Sequence, residues 1–269
     1  MILFLKLGGS LITDKLNART ARKDTIQRLA GEIQSARLAQ PDVQFVLGHG
    51  SGSFGHVPAD KYHTRRGVHS WKDWEGFLEV WRQARELNQI MLEELTQVGM
   101  PVMAFPPSAF IQAADGQPAT VQADPLRSAL QAGLVPLVAG DVIFDRVLGG
   151  TIFSTEDVFL ALAPHLLPDR ILICGMEAGV WQDFPANTEL ITHITPSSFK
   201  TLDRKLSGSA GIDVTGGMRT KVDQMVALVS QFPQAQVQIF SGEAPGTLSE
   251  VLMGHPHGTL ITNTEGDEA

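Results

Sequence analysis

The chain has 269 residues, of which 43% are hydrophobic and 19% are charged, so it can bury a large core as a globular protein. A formal net charge of −8 argues against a broad nucleic-acid surface, because neutralising a phosphate backbone requires clustered lysine and arginine. A single cysteine, Cys174, excludes an internal disulfide and a cysteine-rich metal cage, and it favours a reducing cytoplasm.

Short apolar runs recur along the chain and predict β-strands. They lie at residues 1–7, 43–50, 101–105, 134–144, 170–175, 237–242 and 258–262. The first run is interrupted by Lys6 and lacks a charged leader, so it predicts neither a signal peptide nor a membrane span. Segments with helical spacing separate the runs, which predicts βαβ units around a mainly parallel sheet. Several runs end in glycine, so we expect a ligand crevice at the carboxyl ends of the strands.

Two helices are predicted between these runs, at residues 72–98 and 154–166. The first carries an apolar stripe, typical of packing on a core. The stripe consists of Phe77, Val80, Trp81, Ala84, Leu87, Ile90, Met91 and Leu95. The second helix begins with Ser154 as N-cap and has acids in its first turn. Residues 109–125 and 182–212 are rich in polar residues, glycine and proline, and they predict hairpins or mobile loops.

Three glycine-rich segments have the composition of phosphate-binding loops. In "KLGGS" (6–10), the two glycines indicate either an anion nest or an ordinary strand-to-helix turn. In "GHGSGSFGH" (48–56), four glycines would place several N–H donors on one surface, and His56 is positioned to donate to a phosphate. His49 is interpreted as a structural hydrogen-bonding residue.

In the third segment, "DVTGGMRTKV" (213–222), Gly216 and Gly217 precede a helical run that carries Lys221. That lysine either reaches back toward a phosphate or faces solvent.

Together with "AGDVIFD" (139–145) and "FSGEAPGTL" (240–248), these segments closely resemble the amino acid kinase superfamily and, within it, the isopentenyl phosphate kinases. The resemblance covers nearly the whole chain, in the right order. It implies a three-layer αβα sandwich with a mainly parallel central sheet, as a single domain of residues 1–269. The half up to about residue 165 would bind the acceptor, the half from about residue 166 would bind ATP, and the assembly would be a homodimer.

The resemblance also implies roles for individual residues. Lys6 and Lys221 would bind the transferring phosphate from two sides, Lys15 would support the ATP phosphates, and His56 would hydrogen-bond the acceptor phosphate. These four form the implied catalytic set. The residues implied for the acceptor phosphate are Ser51, Gly55, His56 and Gly140. The residues implied for the nucleotide are Lys6, Gly8, Gly9, Ser10, Gly52, Met176, Gly217 and Lys221.

The implied activity is the ATP-dependent and Mg²⁺-dependent phosphorylation of isopentenyl phosphate to isopentenyl diphosphate. Phosphoryl transfer requires positioning and positive charge more than covalent chemistry. Because the acceptor oxygen is already an anion, no general base is required, and the main obstacle is repulsion between two anions. No residue is assigned as a metal ligand, and the partners are the prenyl phosphate and ATP, without nucleic acid or membrane.

Several features depart from the family pattern or leave alternatives open. Thr155, Glu156 and Asp157 stand where an acidic pair is common, and Met176 stands where an aspartate is common. Met176 either packs on the purine or belongs to the core. The helix of residues 72–98 either supplies a wall for the prenyl tail, through Phe77, Trp81 and Ala84, or packs wholly in the core.

Two other activities are compatible with the motifs. A fosfomycin-type phosphonate kinase shares the lysine and histidine pattern, and pocket size would separate it from a prenyl phosphate kinase. A non-catalytic nucleotide-binding or storage member of the fold is the second alternative. Retention of Lys6, His56 and Lys221 favours an enzyme.

Overall fold

A computed structural model describes residues 1–206 and 217–264, and it describes their side chains except at positions 56, 57 and 202–206. The strands of this part of the chain are β1 (Ile2–Leu7), β2 (Gln44–His49), β3 (Val102–Ala104), β4 (Ile111–Ala114), β5 (Gln117–Val121), β6 (Val135–Ala139), β7 (Asp141–Asp145), β8 (Gly149–Phe153), β9 (Arg170–Gly175), β10 (Val180–Trp181), β11 (Leu190–Ile191), β12 (His193–Ile194), β13 (Gln236–Ser241) and β14 (Thr259–Ile261). The α-helices are α1 (Gly9–Ile12), α2 (Lys23–Ala39), α3 (His56–Tyr62), α4 (Trp71–Gln97), α5 (Pro107–Phe110), α6 (Asp124–Gln131), α7 (Thr155–Leu166), α8 (Pro196–Leu206), α9 (Gly217–Gln231) and α10 (Thr247–Leu252). Short 3₁₀ turns lie at Gly52–Phe54 and Thr64–Arg66.

The main sheet has eight strands in the order β12-β14-β13-β9-β1-β2-β6-β3. Every neighbouring pair in it is parallel except β13 and β14. The mainly parallel sheet predicted from the alternation of strands and helices is therefore confirmed. Strand β1 lies near the centre, between β2 and β9, which places Lys6 in the interior of the protein.

Helices cover both faces of this sheet, because side chains along each central strand alternate between two hydrophobic clusters. In β1, Phe4 belongs to the cluster that contains Phe159 of α7 and Met225 of α9. Its neighbours Leu3 and Leu5 belong to the cluster that contains residues of α2, α4 and α10. The two clusters make three layers, so the predicted αβα sandwich is confirmed.

The apolar run at residues 134–144 is not one strand, as its hydrophobicity suggested. It breaks at Gly140 into β6, which joins the main sheet, and β7, which joins a four-stranded sheet of order β5-β4-β7-β8. A Cβ at Gly140 would lie 3.2 Å from the backbone nitrogen of Thr155, so the chain bends against the start of α7 where a side chain fits poorly. The break leaves Asp141 at the junction of the two sheets.

The two helices predicted from their apolar spacing are confirmed with shifted ends. Ser70 caps α4 and Ser154 caps α7, each through a reciprocal capping box. The predicted apolar stripe of α4 is wrong at Trp81, whose side chain is 38% exposed. Arg85 lies over that ring, 5.8 Å from its centroid, so the tryptophan packs with a cation at the surface.

The predictions for the two polar segments, residues 109–125 and 182–212, have different outcomes. Residues 109–125 contain the predicted hairpin, formed by β4 and β5. Residues 182–212 were predicted to form hairpins or mobile loops, and this is wrong for α8. The first turn of α8 is capped by Thr195 and Ser198 through two reciprocal hydrogen bonds of 3.1 and 2.8 Å. A threonine followed by Pro196 at the first helical position is the local signal for this helix. Residues 207–212 lie outside the described residues.

None of the helices described is long and apolar enough to cross a bilayer.

Candidate active site

A cleft of about 730 Å³ opens at the carboxyl ends of the central strands. This is the edge of an open α/β sheet at which ligands bind. Lys6 at the end of β1, Gly175 at the end of β9 and Gly50 after β2 all line it, together with residues at the starts of α1, α7 and α9. The predicted crevice therefore lies where the strand pattern placed it.

The cleft brings together segments that lie far apart in the sequence and were each predicted to bind a ligand. Every predicted site residue whose side chain is described lines it. These are Lys6, Gly8, Gly9, Ser10, Lys15, Ser51, Gly52, Gly55, Gly140, Met176, Gly217 and Lys221. Lys15 is exposed at the rim, whereas Lys6 is 7% exposed at the base. Co-location supports the assigned roles, which themselves stay predictions.

His56 opens α3 directly after Gly55, and Gly55 and Ala59 of this segment line the cleft. The predicted hydrogen bond from the His56 side chain lies outside the described residues.

Two of the predicted phosphate loops form one surface, which we call the glycine floor (residues 8–10 and 50–52). A Cβ at Gly9 would lie 2.5 Å from the backbone nitrogen of Gly52, and a Cβ at Gly50 would lie 2.8 Å from the nitrogen of Gly9. Gly52 has φ of +50°, a conformation that L side chains rarely adopt. Glycine is therefore required because two backbones touch.

Thr13 joins the two loops of the glycine floor. Its buried hydroxyl donates to the carbonyl of Gly9 at 2.7 Å and accepts from the N–H of Ser53 at 3.0 Å. Sequence analysis missed this residue, because its partner lies forty positions away. The only local signal was a β-branched hydroxyl residue one turn after the first glycine pair.

The glycine floor presents backbone donors to the cleft. The N–H groups of Gly9, Ser10, Ser51 and Gly52 have no hydrogen-bond partner within residues 1–206 and 217–264. All four residues line the cleft. Unpartnered N–H groups on a concave backbone surface bind anions, so the floor fits phosphate oxygens.

A buried ion pair joins Lys6 of β1 to Glu156 in the first turn of α7. Burial alone would raise the pKa of Glu156, but the charges of Lys6 and Lys221 outweigh it and hold that pKa below its usual value. Burial lowers the pKa of Lys6, and Glu156 opposes that shift. The glutamate therefore fixes Lys6 at the base of the cleft and links it electrostatically to Lys221 of α9.

The start of α7 is held in place by its neighbours. Thr155 donates to the carbonyl of His49 at 2.7 Å and accepts from the N–H of Gly140 at 3.1 Å. Asp157 caps the helix and accepts from Gln224 of α9 at 2.6 Å. These bonds tie α7 to β2, to the β6–β7 break and to α9, so Glu156 is presented on a rigid element.

Arg65 also lies near the start of α7. It stands beside Arg66 in a short basic turn, and its side chain is mostly exposed. Arg65 nevertheless lines the cleft, and its guanidinium lies 3.5 Å from the Asp157 carboxylate. It therefore adds positive charge at the cleft edge.

His49 has the structural role that its position suggested. It is fully buried and hydrogen-bonds Asn88 of α4 at 3.0 Å through its ring. Burial lowers the pKa of His49 to about 4, so it is neutral at physiological pH.

One end of the cleft is formed by Ala59, Val80, Asp141 and Ile152, and we call it the acceptor end after the acceptor-binding role predicted for residues up to about 165. Val80 belongs to a hydrophobic cluster with Phe77 and Val142, and Ala59 and Ile152 pack against this cluster. Helix α4 lines the cleft through Val80, which was not among the residues predicted for its wall. The residues named for that wall, Phe77, Trp81 and Ala84, do not line the cleft: Phe77 and Ala84 are buried behind it, and Trp81 packs with Arg85.

Gly140 and Asp141 lie at the break between β6 and β7. The Gly140 N–H already donates to the Thr155 hydroxyl and to the His49 carbonyl, so it is not available to a bound phosphate. A ligand could contact Gly140 only by close packing. Asp141, which sequence analysis did not single out, is 4% exposed and lines the cleft. Burial raises the pKa of Asp141 to about 7, against the hydrogen bond from the Val142 N–H and the charge of Arg85.

The other side of the cleft is lined by residues that follow β9 and begin α9. Gly175, Met176 and Glu177 come from the first group, and Gly217 and Met218 from the second. Met176 is partly buried and packs against the hydrophobic cluster of the α2 and α4 face, as the core interpretation predicted. It also lines the cleft, and its packing on a purine stays a prediction. Gly216 of the predicted third loop lies outside the described residues.

Residues 1–241 match the model of the amino acid kinase family. The isopentenyl phosphate kinase of Methanocaldococcus jannaschii is 31% identical over 98% of this chain and 100% of its own length, and that of Haloferax volcanii is 33% identical over 92% and 98%.

Solved structures of isopentenyl phosphate kinases superpose on the chain. One matches with a TM-score of 0.83 at 28% identity, covering 97% of this chain and 100% of the other. A product complex from T. acidophilum matches with a TM-score of 0.77 at 25% identity, covering 97% and 100%.

Proposed function

The chain belongs to the amino acid kinase family, and from this premise we propose that it transfers the γ-phosphoryl group of ATP to isopentenyl phosphate, giving isopentenyl diphosphate. Relatives matched over nearly their full lengths carry this activity in their names. The observation that carries the proposal is the single cleft in which Lys6, Lys221 and both glycine loops meet.

The size and donors of the cleft fit two phosphate ligands. Its volume of about 730 Å³ lies in the range of pockets that enclose small molecules. The glycine floor offers unpartnered N–H groups to the phosphates, while Lys6 and Lys221 approach from β1 and α9. The lysines offset the repulsion between two anions, which is the main barrier to this reaction.

The acceptor end fits the short hydrocarbon tail. Ala59, Val80 and Ile152 present apolar side chains to the cleft, and the aromatic cluster of Phe77 and Trp74 stands behind them. A fosfomycin-type acceptor would leave less apolar surface buried, so this lining favours the prenyl phosphate.

Mg²⁺ is part of the proposal. Among the residues described, no group of three His, Cys, Asp or Glu side chains is arranged to hold a metal ion. Mg²⁺ is commonly bound by nucleotide phosphates and water with one or two protein carboxylates, and such an ion does not require a larger group of protein ligands. When bound, Mg²⁺ would neutralise charge on the phosphates. The division into an acceptor half and an ATP half, the homodimer and the cytoplasmic location complete the proposal.

The test is ADP release measured with purified protein, ATP and three acceptors: isopentenyl phosphate, dimethylallyl phosphate and fosfomycin. We expect turnover with a prenyl phosphate. Turnover with fosfomycin alone would reject the substrate, and no turnover with any acceptor would favour the non-catalytic alternative. His56→Ala should reduce kcat/KM for the acceptor. His165→Ala is the control, because His165 is an exposed residue in the last turn of α7, and it should leave kcat/KM unchanged.

A further inference from the structure

Strand β7 carries a buried carboxyl at each end, and the two have very different surroundings. Asp141 and Asp145 are both 4% exposed. Asp145 accepts hydrogen bonds from four backbone N–H groups, those of Asp115, Gly116, Val147 and Leu148, at 2.8–3.0 Å. These bonds outweigh burial and hold the pKa of Asp145 below its usual value. Asp145 is therefore an ionised structural group that fixes a turn.

Asp141 lacks such support. One oxygen, Oδ1, accepts the N–H of Val142 at 2.7 Å, and Oδ2 has no hydrogen-bond partner in the described part of the chain. The Oδ2 atom is reached from the cleft and is not sealed in the core, so it is free to hydrogen-bond a ligand there. Its side chain lines the cleft at the acceptor end, beside Val80 and Ile152.

The charges around Asp141 do not supply a partner either. Arg85 of α4 acts on it at longer range, without a hydrogen bond, and its guanidinium lies over the ring of Trp81. Phe153 is its neighbour across the ladder in β8. The charged residues described that share the cleft are Lys6, Lys15, Arg65, Glu156, Glu177 and Lys221, and Glu156 is paired with Lys6.

We propose that Asp141 binds the phosphate of the acceptor as a neutral carboxylic acid, donating one hydrogen bond from Oδ2–H to a phosphate oxygen. This inference rests on the proposed function, because it takes the acceptor to be a phosphate that enters at this end of the cleft. A neutral acid is the only form of this side chain that attracts an anion. Asp141 would thereby bind the acceptor phosphate with a neutral donor, in addition to the positive charges of Lys6 and Lys221.

The protonation state gives the proposal a clear signature. With a pKa raised to about 7, Asp141 is protonated in much of the free protein near neutral pH, and a bound phosphate anion disfavours its ionisation further. Above that pKa the carboxylate repels the acceptor. The KM for isopentenyl phosphate should therefore rise with pH through loss of this proton, while the KM for ATP should not.

The experiment compares the wild type with Asp141→Asn and Asp141→Ala, each assayed with isopentenyl phosphate at saturating ATP across the neutral and mildly alkaline range. Titration of the substrate phosphate affects all three proteins equally, so it cancels in the ratio of KM values. The asparagine amide keeps a donor at every pH, and alanine has none. Asp145→Asn is the matched control, because it removes a buried carboxylate from the same strand away from the cleft.

At about pH 6.5 we expect Asp141→Asn to have a KM within about twofold of the wild type and Asp141→Ala a KM about tenfold higher, as for loss of one charge-assisted hydrogen bond. At about pH 8.5 the wild-type KM should exceed that of Asp141→Asn by about tenfold. Asp145→Asn should lower stability and keep the wild-type pH dependence.

Calorimetry gives a second readout that does not depend on turnover. In buffers of different ionisation enthalpy at about pH 7.5, binding of isopentenyl phosphate should take up more protons in the wild type than in Asp141→Asn. A wild-type to Asp141→Asn ratio of KM that is flat with pH, or equal proton uptake, would overturn the role of Asp141. Failure of the wild type to phosphorylate isopentenyl phosphate would instead overturn the proposed function.

Discussion

The glycine floor and the acceptor end of the same cleft are built by opposite means. At the floor, backbone touches backbone: Gly9, Gly50 and Gly52 leave no room for a Cβ, and the groups offered to a ligand are N–H donors. At the acceptor end, side chains of α3, α4, β7 and β8 form the surface. Under the proposed function, the phosphates that every such reaction shares would meet rigid backbone, and the acceptor tail, which differs between kinases, would meet replaceable side chains.

This contrast predicts that substitutions at the glycine floor, or at the Lys6–Glu156 pair beside it, strongly reduce stability and activity. Substitutions at the acceptor end should have smaller effects, mainly on the KM for the acceptor. The largest effect is expected for Glu156→Gln. Breaking a buried ion pair leaves Lys6 without a counter-charge, so we expect a loss of about 3 kcal/mol in the free energy of unfolding and a large drop in kcat. Chemical denaturation and steady-state kinetics measure both.

The pH dependence of that variant has a defined sign. The pKa of Glu156 in the folded protein is held below its usual value of 4.5, so its stabilising effect is present above that value and is lost as the pH falls through the folded pKa. The stability difference between the wild type and Glu156→Gln should shrink in acid. Glu79→Gln, which removes an exposed pair with Arg82, should cost less than about 1 kcal/mol, and an equal cost for both would contradict the argument.

The second prediction breaks the floor directly. In Gly52→Ala the new Cβ would lie 2.1 Å from the Thr13 hydroxyl at a φ of +50°, so the two loops must separate. We expect a loss of about 2 kcal/mol in the free energy of unfolding and a higher KM for ATP. Gly31→Ala is the control: it lies in α2 with open space around it and should stabilise the protein by about 0.5–1 kcal/mol.

A third, smaller effect is expected at Thr13. Thr13→Val keeps the shape but removes the hydroxyl that joins Gly9 to Ser53, so stability should fall by about 1–2 kcal/mol. Thr13→Ser keeps the hydroxyl and should retain most of the kcat/KM lost in Thr13→Val. If serine and valine behave alike, the hydrogen bonds do not hold the floor together.

The same contrast explains how much the sequence could reveal. Seven of the eight strands of the main sheet, the helices α4 and α7 with their serine caps, and the first two glycine loops depend on local patterns, and these were predicted, as was the fold class. Contacts between distant segments were not: Thr13 meets Ser53, and Gly9 meets Gly52, only after folding. The break at Gly140 was missed because apolar residues flank Gly140 and Asp141 on both sides and predicted one strand. The surroundings of Asp141 depend on α4 and β8, which no local pattern places beside it.

The smallest and most selective effect is expected at the acceptor end. The comparison is between Val80 and Trp81, which was one of the residues named for its apolar wall but does not line the cleft. Val80 lines the cleft, whereas its neighbour Trp81 faces Arg85 at the surface. Under the proposed function, Val80→Ala would remove apolar contact with the hydrocarbon tail, so the KM for isopentenyl phosphate should rise about fivefold with the KM for ATP unchanged. Trp81→Ala removes far more side chain but none of the lining, and it should leave both constants near those of the wild type. A larger effect at Trp81 than at Val80 would show that the tail lies along a different face of α4.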